Sequence, residues 1–198
     1  MEKPAPPAER MDRRTAVPAL IGEHTDFLIV AGLAGTARDV AAMTNEAPSA
    51  FLFGGAMGGA AMTGLGLALA QPDRSVLVVT GDGDLLMSLG ALATIAVVRP
   101  GNLGIVCVDN EQYGETGAQD THTARAVDLA AVAAGCGFTT MTVQDEAGLA
   151  AASGFLRQAE GPRFVLLKVA PGPPADYKRN WHAEEGKTAF RRALLGKR

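Results

Sequence analysis

The chain has 198 residues, of which 47% are hydrophobic, and this length and composition suit one domain with a sizeable buried core. Its 18 basic and 21 acidic side chains nearly balance, so the charge gives no support for a nucleic-acid partner. The sequence contains neither a membrane-spanning apolar stretch nor a signal-peptide core, and its two cysteines form no CxxC pair. We therefore predict a cytoplasmic protein without membrane contact, disulfide framework or zinc site.

Taken in chain order, the sequence opens with residues 1–9, which contain three prolines and are predicted to form a disordered arm. Apolar segments and helical patterns alternate over residues 10–170, which are predicted to form the domain. Residues 171–198 are predicted to be a basic C-terminal tail with a short amphipathic helix, since Phe190 and Leu194 are four residues apart. The predicted strands are 27–30, 50–53, 75–80, 103–109, 139–143 and 163–169, and the predicted helices lie near 12–22, 36–43, 57–70, 85–98, 127–135 and 145–159.

Two of the predicted strands, 75–80 (SVLVVT) and 103–109 (LGIVCVD), lack a consistent polar alternation. Such strands are covered on both faces, as in a parallel sheet. The alternation of strands and helices therefore predicts an α/β fold, a doubly wound, mostly parallel sheet with helices on both faces.

Ligands of such folds bind beyond the carboxyl ends of the strands. Three loops of unusual composition leave predicted strand ends, at 53–59, 80–84 and 109–117, and we expect them to converge on one crevice.

A carboxylate flanked by glycines, Gly81-Asp82-Gly83, joins a predicted strand to a predicted helix. Taken alone, Asp82 is more readily a helix cap than a metal ligand. Asn110 follows 28 residues later, one helix and one strand on, which places both side chains at neighbouring strand ends. A carboxylate and an amide oxygen suit Mg²⁺, which takes its remaining oxygens from phosphates and water.

These residues resemble a known signature. The pattern resembles the motif of thiamine-diphosphate (ThDP) enzymes, in which a GDG precedes a pair of asparagines. Here Gly81-Asp82-Gly83 is followed, after 26 residues, by Asn110. Asp109 replaces the first asparagine of that pair. The resemblance implies that the side chains of Asp82 and Asn110 and the main-chain carbonyl of Gln112 bind Mg²⁺.

Asp84 is a second departure, because family members often have Ser, Ala or Gly there, beside the diphosphate. An extra carboxylate should repel phosphates unless it points away or meets the metal. Its own role stays open at this point.

The loop at 54–59 resembles the family segment beneath the aminopyrimidine ring. By this resemblance, the Gly55 carbonyl accepts a hydrogen bond from the 4′-amino group, and Met57 wedges the two cofactor rings into a V shape. The alternative for Met57 is a core methionine. The residues expected to bind the cofactor are Gly55, Ala56, Met57, Gly81, Asp82, Gly83, Asp84, Asn110, Gln112, Tyr113 and Gly114.

The resemblance covers residues 18–170 and identifies the segment 10–170 as a pyrophosphate-binding (PP) domain. The run at 81–117 is most similar to the β subunits of sulfopyruvate decarboxylase and the matching half of phosphonopyruvate decarboxylase. This implies a decarboxylase of a small 2-oxo acid.

In this family the glutamate that activates the cofactor belongs to a pyrimidine-binding (PYR) domain. A chain of this length has room for the PP domain alone, so no catalytic residue is expected here. The chain should be inactive without a PYR-domain α subunit and should also self-associate, as PP domains do in the family.

Three alternatives stay open. The chain could serve another ThDP carbon–carbon lyase or ligase of the acetolactate-synthase type. It could be a nucleotide-binding α/β domain using the glycine-rich segment 32–35, although no GxGxxG follows a strand there. It could also be a non-catalytic scaffold, which the intact Asp82 and Asn110 pair argues against.

Overall fold

The computed structural model describes residues 10–158 and 160–196, so the predicted arm at 1–9 lies outside the described residues. The strands are β1 (Phe27–Ala31), β2 (Ala50–Leu52), β3 (Ser75–Gly81), β4 (Leu103–Asp109), β5 (Gln112–Tyr113), β6 (Gln119–Asp120), β7 (Thr139–Val143) and β8 (Arg163–Lys168). The helices are α1 (Arg13–Ile21), α2 (Gly35–Thr44), α3 (Ala60–Ala70), α4 (Asp82–Leu86), α5 (Gly90–Val98), α6 (Leu129–Cys136), α7 (Leu149–Leu156) and α8 (Ala183–Leu195).

Six strands form one parallel sheet in the order β2-β1-β3-β4-β8-β7. Every residue of β1 and β4 is buried, as expected for strands that are covered on both faces. One apolar cluster packs α1, α2 and α7 against one face, and a second cluster packs α3, α5 and α6 against the other. The predicted doubly wound α/β fold is therefore confirmed.

The predicted helix at 85–98 is wrong in its extent, because two helices occupy this region. α4 begins directly at Asp82, and α5 begins only at Gly90. Between them, Ser88 N donates to Leu85 O and Ala91 N donates to Ser88 O, an i→i+3 pattern that tightens the chain into a turn.

A small antiparallel hairpin, β5 with β6, was not predicted, since strands of two residues leave no periodic pattern. It places the segment after Asn110 beside the start of α4. This hairpin shapes one wall of the crevice at the carboxyl ends of the strands.

The tail runs back across the molecule toward the edge strand β2. Ala175 N donates to Asp39 Oδ1 on α2, and Phe190 of α8 packs against Phe51 with ring centroids 5.7 Å apart. None of the helices in the described part of the chain has the length and apolar character needed to cross a bilayer.

Candidate functional site

A cavity of about 160 Å³ opens at the carboxyl ends of β1, β3 and β4. Nine residues predicted to bind the cofactor line it: Met57, Gly81, Asp82, Gly83, Asp84, Asn110, Gln112, Tyr113 and Gly114. The other two, Gly55 and Ala56, border a second cavity of about 310 Å³ between β2, its following loop and the tail. The three predicted loops thus converge, while one of them also faces the tail.

Asp82 and Asn110 reach this cavity because their strands are neighbours. Gly81 of β3 pairs with Val108 of β4, so Asp82 lies one residue and Asn110 two residues beyond the last pair of these neighbouring strands. Both side chains are buried, and Asn110 Oδ1 accepts a hydrogen bond from Gln112 N at 3.2 Å. This turn brings the Gln112 main chain close behind Asn110.

The Asp82 carboxylate is 2% exposed, and its Oδ2 accepts hydrogen bonds from the hydroxyls of Thr121 and Thr123. Burial raises the pKa of Asp82 to about 6, and the neighbouring Asp109 adds to this shift. A cation beside Asp82 would offset both effects. Thr121 could not be found from sequence, because it contacts Asp82 across 39 residues without a recognisable motif.

In the described part of the chain, no three carboxylate, imidazole or thiolate side chains gather into a metal-binding cluster. A cation at this position would therefore depend on one carboxylate, an amide oxygen and a main-chain carbonyl. Such an all-oxygen set suits Mg²⁺, which keeps sites free for phosphate and water oxygens.

Asp109, which departs from the signature, is held by neighbours outside the lining of this cavity. Its Oδ2 accepts from Lys168 Nζ at 2.9 Å, and its Oδ1 accepts from Thr123 Oγ1 at 2.8 Å. Lys168 also donates to Glu111 at 2.7 Å, and Glu111 in turn pairs with Arg10. Burial lowers the pKa of Lys168, but its hydrogen bonds with Glu111 and Asp109 raise it above the usual value. The carboxylate at 109 is therefore compensated by a cation from β8.

Asp84 has both carboxylate oxygens engaged by the protein. Oδ1 accepts from Gly58 N at 2.6 Å, and Oδ2 accepts from Thr80 Oγ1 at 2.7 Å. A Cβ on Gly32 would collide with Oδ2, so the close approach of β1's end requires glycine. Asp84 thus links the loop that contains Met57 to the end of β3.

Met57 is 39% exposed and lines the cavity, which argues against the alternative of a core methionine. Tyr113 packs over Gly83, where a Cβ would lie 2.6 Å from the ring. Only a glycine at 83 lets the hairpin cover the start of α4.

One wall of the cavity was missed by the sequence interpretation. Arg13 of α1 is buried, donates to Asp39 at 2.7 Å and lines the cavity together with the first turn of α2. Free backbone N–H groups at such a helix start favour an anion. Arg13 gave no signal because its partner on α2 is 26 residues away.

Residues 34–167 match the family described as thiamine pyrophosphate enzyme, C-terminal TPP binding domain. Sulfopyruvate decarboxylase subunit beta of Methanothermobacter thermautotrophicus is 38% identical over 162 residues, covering 82% of this chain and 84% of that protein. Phosphonopyruvate decarboxylase of Streptomyces viridochromogenes is 38% identical over 174 residues, covering 86% of this chain but only 43% of that protein.

Among solved structures, benzoylformate decarboxylase of Polynucleobacter necessarius superposes with a TM-score of 0.65 at 16% identity. The match covers 88% of this chain and 36% of that chain, and at this identity it supports the fold alone. The chain spans most of the length of the β subunit but less than half of phosphonopyruvate decarboxylase.

Proposed function

This chain belongs to the thiamine pyrophosphate enzymes, as the pyrophosphate-binding β subunit of a sulfopyruvate- or phosphonopyruvate-decarboxylase-like enzyme, and we propose that it holds the diphosphate end of ThDP through Mg²⁺. The observation that carries this proposal is the meeting of buried Asp82 and Asn110 in one cavity at the ends of β3 and β4. The family assignment excludes the nucleotide-binding alternative.

Mg²⁺ would be held by the side chains of Asp82 and Asn110 and by the Gln112 carbonyl. The donor set fits because Asp82 is a buried carboxylate whose hydrogen bonds come only from hydroxyls and backbone in the described chain. A buried carboxylate is costly unless a cation or strong hydrogen bonds compensate it. The diphosphate and water would complete six oxygen ligands.

The diphosphate would lie against the starts of α2 and α4, whose backbone N–H groups and dipoles favour anions. Gly81, Gly83, Asp84, Tyr113 and Gly114 would border it. Gly58 and Thr80 donate to the two oxygens of Asp84, which fixes this carboxylate within the protein.

The aminopyrimidine would rest on the loop at Gly55, Ala56 and Met57. The Gly55 carbonyl already accepts from Met57 N at 3.1 Å, and its second lone pair leaves room for the 4′-amino group. Met57, exposed at the cavity, would then separate the two rings.

The bound cofactor supplies the electron sink for the decarboxylation. This chain contributes binding and orientation, and we assign no catalytic side chain to it. A PYR-domain α subunit would supply the activating glutamate, and the substrate would be a small 2-oxo acid with a sulfonate or phosphonate group. The two free cysteines fit a reducing cytoplasm.

The test is reconstitution with a PYR-domain subunit of the same organism in the presence of ThDP and Mg²⁺. Sulfopyruvate, phosphonopyruvate and pyruvate are offered, and CO₂ release is measured. We expect release from a sulfonate- or phosphonate-bearing acid, and none with the Asp82→Ala variant. Acetolactate formed from pyruvate alone would favour the acetolactate-synthase-like alternative instead.

A further inference from the structure

The second cavity adjoins the predicted cofactor site, because Gly55 and Ala56, two of the residues predicted to bind the cofactor, line it. It has a volume of about 310 Å³ and is bounded by β2, the loop with Gly54 to Ala56, and the tail from Arg179 to Ala189. Ala56 borders this cavity and the next residue, Met57, borders the first one. A molecule in the second cavity would therefore be separated from the first cavity by one loop.

Arg179 is the buried cation of this cavity. Its side chain is 6% exposed, and it donates to the carbonyls of Phe53 at 3.2 Å and Leu52 at 3.5 Å. Its Nε has no hydrogen-bond partner among the residues that the structure describes, and its guanidinium lies 4.8 Å from the centre of the Trp181 ring. Two long contacts use few of the five N–H donors of an arginine.

The charge of Arg179 is not neutralised by an ion pair in the described part of the chain. Glu46 is the one carboxylate among the described residues that line the cavity, and its Oε1 accepts from Asn180 N at 2.7 Å. Lys187 lines the same cavity and adds a second positive charge. Burial lowers the pKa of Arg179 although the Glu46 carboxylate raises it, so the charge is only partly compensated and an anion beside it would offset more of the cost of burial.

We propose that Arg179 and Lys187 form a binding site for a small tetrahedral oxyanion, a sulfonate or a phosphonate, in this second cavity. The planar fork of a guanidinium matches such oxyanions, and the ammonium adds a flexible charge. This site recognises the acidic substituent of the 2-oxo acid, next to the loop that supports the cofactor; this assignment of the ligand rests on the proposed function.

Trp181 makes the test direct, because it is the single tryptophan of the chain and it stacks on Arg179. The isolated chain, without ThDP or partner, is titrated with methanesulfonate, methylphosphonate or acetate at constant ionic strength while its fluorescence is recorded. We expect a saturable change with a tetrahedral oxyanion and at least about ten-fold weaker binding of acetate. The tighter of the two tetrahedral probes identifies the substituent.

Arg179→Met should abolish the saturable change, whereas Arg191→Met, a matched loss of charge at an exposed position of α8 outside this cavity, should leave it intact. Thermal unfolding verifies that each variant is folded. If Arg179→Met does not fold, Arg179→Lys replaces it, and we expect at least about ten-fold weaker binding because the fork is lost.

The absence of a saturable response in the unmodified chain overturns the site, as does an unchanged response in Arg179→Met or unchanged affinity in Arg179→Lys. Acetate binding as tightly as both tetrahedral probes overturns the assignment of the ligand. The titration needs neither cofactor nor α subunit, so its outcome is independent of whether the reconstituted enzyme releases CO₂.

Discussion

At the scale of single residues, the buried Asp82 carboxylate favours the binding of a cation but destabilises the metal-free fold at neutral pH. Its pKa of about 6 in the folded chain lies above the usual 3.8, so the metal-free fold loses stability as the pH rises through this interval. We expect Asp82→Asn to raise the free energy of unfolding of the metal-free chain at pH 8 by about 1–3 kcal/mol. Chemical denaturation at pH 8 and pH 4 measures this, and the gain should shrink at pH 4.

The same variant should lose Mg²⁺-dependent ThDP binding, and Asn110→Ala should weaken it, since the metal bridge to the diphosphate is broken. Isothermal titration with the assembled enzyme measures this. Cofactor affinity equal to that of the unmodified protein in the Asp82 variant would refute the metal assignment.

Asp84 links the loop with Gly58 to the end of β3, so its removal should affect both stability and turnover. Asp84→Ala removes the shorter of the two hydrogen bonds of the buried Thr80 hydroxyl and leaves only the contact with Gly81 O at 3.4 Å, so we expect a loss of about 1–3 kcal/mol. Asp84→Asn keeps an acceptor oxygen and should lose less. Urea unfolding and turnover of the assembled enzyme are compared, and equal effects of the two substitutions would contradict the linking role.

Met57 should matter more for turnover than for stability, because its side chain is 39% exposed at the cavity. Truncating a core methionine costs about 2–5 kcal/mol, and we expect Met57→Ala to cost less than about 1 kcal/mol. Met62→Ala is the matched control, since Met62 is 41% exposed on α3 and lines neither cavity. Equal turnover in the two variants would count against the wedge.

At the scale of elements, Lys168 ties the end of β8 to the end of β4. Lys168→Met leaves the buried Asp109 carboxylate without its cation, so we expect a loss of about 3–5 kcal/mol. Adding Asp109→Asn, which restores the asparagine of the family signature, should recover most of this loss because the amide is neutral. The free energy of unfolding of both variants is measured with denaturant. If the double variant does not recover stability, the loss in Lys168→Met is not caused by the unpaired Asp109 carboxylate.

At the scale of the whole molecule, α3 and α5 pack together and expose an apolar surface, with Val97 86% exposed. Single exposed apolar residues are ordinary, but Leu69 on α3 and Val98 on α5 are exposed as well, and we expect these helices to support self-association. We expect Val97→Asp to shift the isolated chain toward the monomer in sedimentation velocity. Leu195→Asp, an exposed apolar position on α8, is the control and should leave the distribution unchanged.

The isolated chain should also release no CO₂ from any 2-oxo acid at any ThDP or Mg²⁺ concentration, because the glutamate that activates the cofactor is assigned to the α subunit. Turnover by the purified single chain would overturn the half-enzyme interpretation. Activity that appears on adding an α subunit, and disappears when its glutamate is replaced, would support it.

Sequence patterns alone predicted the main sheet, most of its covering helices and the meeting of the three loops. Strands buried on both faces leave continuous apolar runs, such as 75–80, and parallel strand ends necessarily meet at one edge of the sheet. Because parallel strand ends meet at one edge, the spacing of Asp82 and Asn110 was enough to predict that they lie in one site. The division of the chain at residue 170 stays a prediction.

Only the tertiary structure decided how the departures from the family signature are accommodated. The partner of Asp84 on the loop is 26 residues away, and that of Asp109 on β8 is 59 residues away. These separations along the sequence do not correspond to the repeat of a helix or a strand, so no pattern in the sequence indicates the contacts. The second cavity likewise exists only because the tail returns to β2, 126 residues from Phe53 to Arg179. Such contacts depend on where whole elements pack, which local propensity and spacing do not specify.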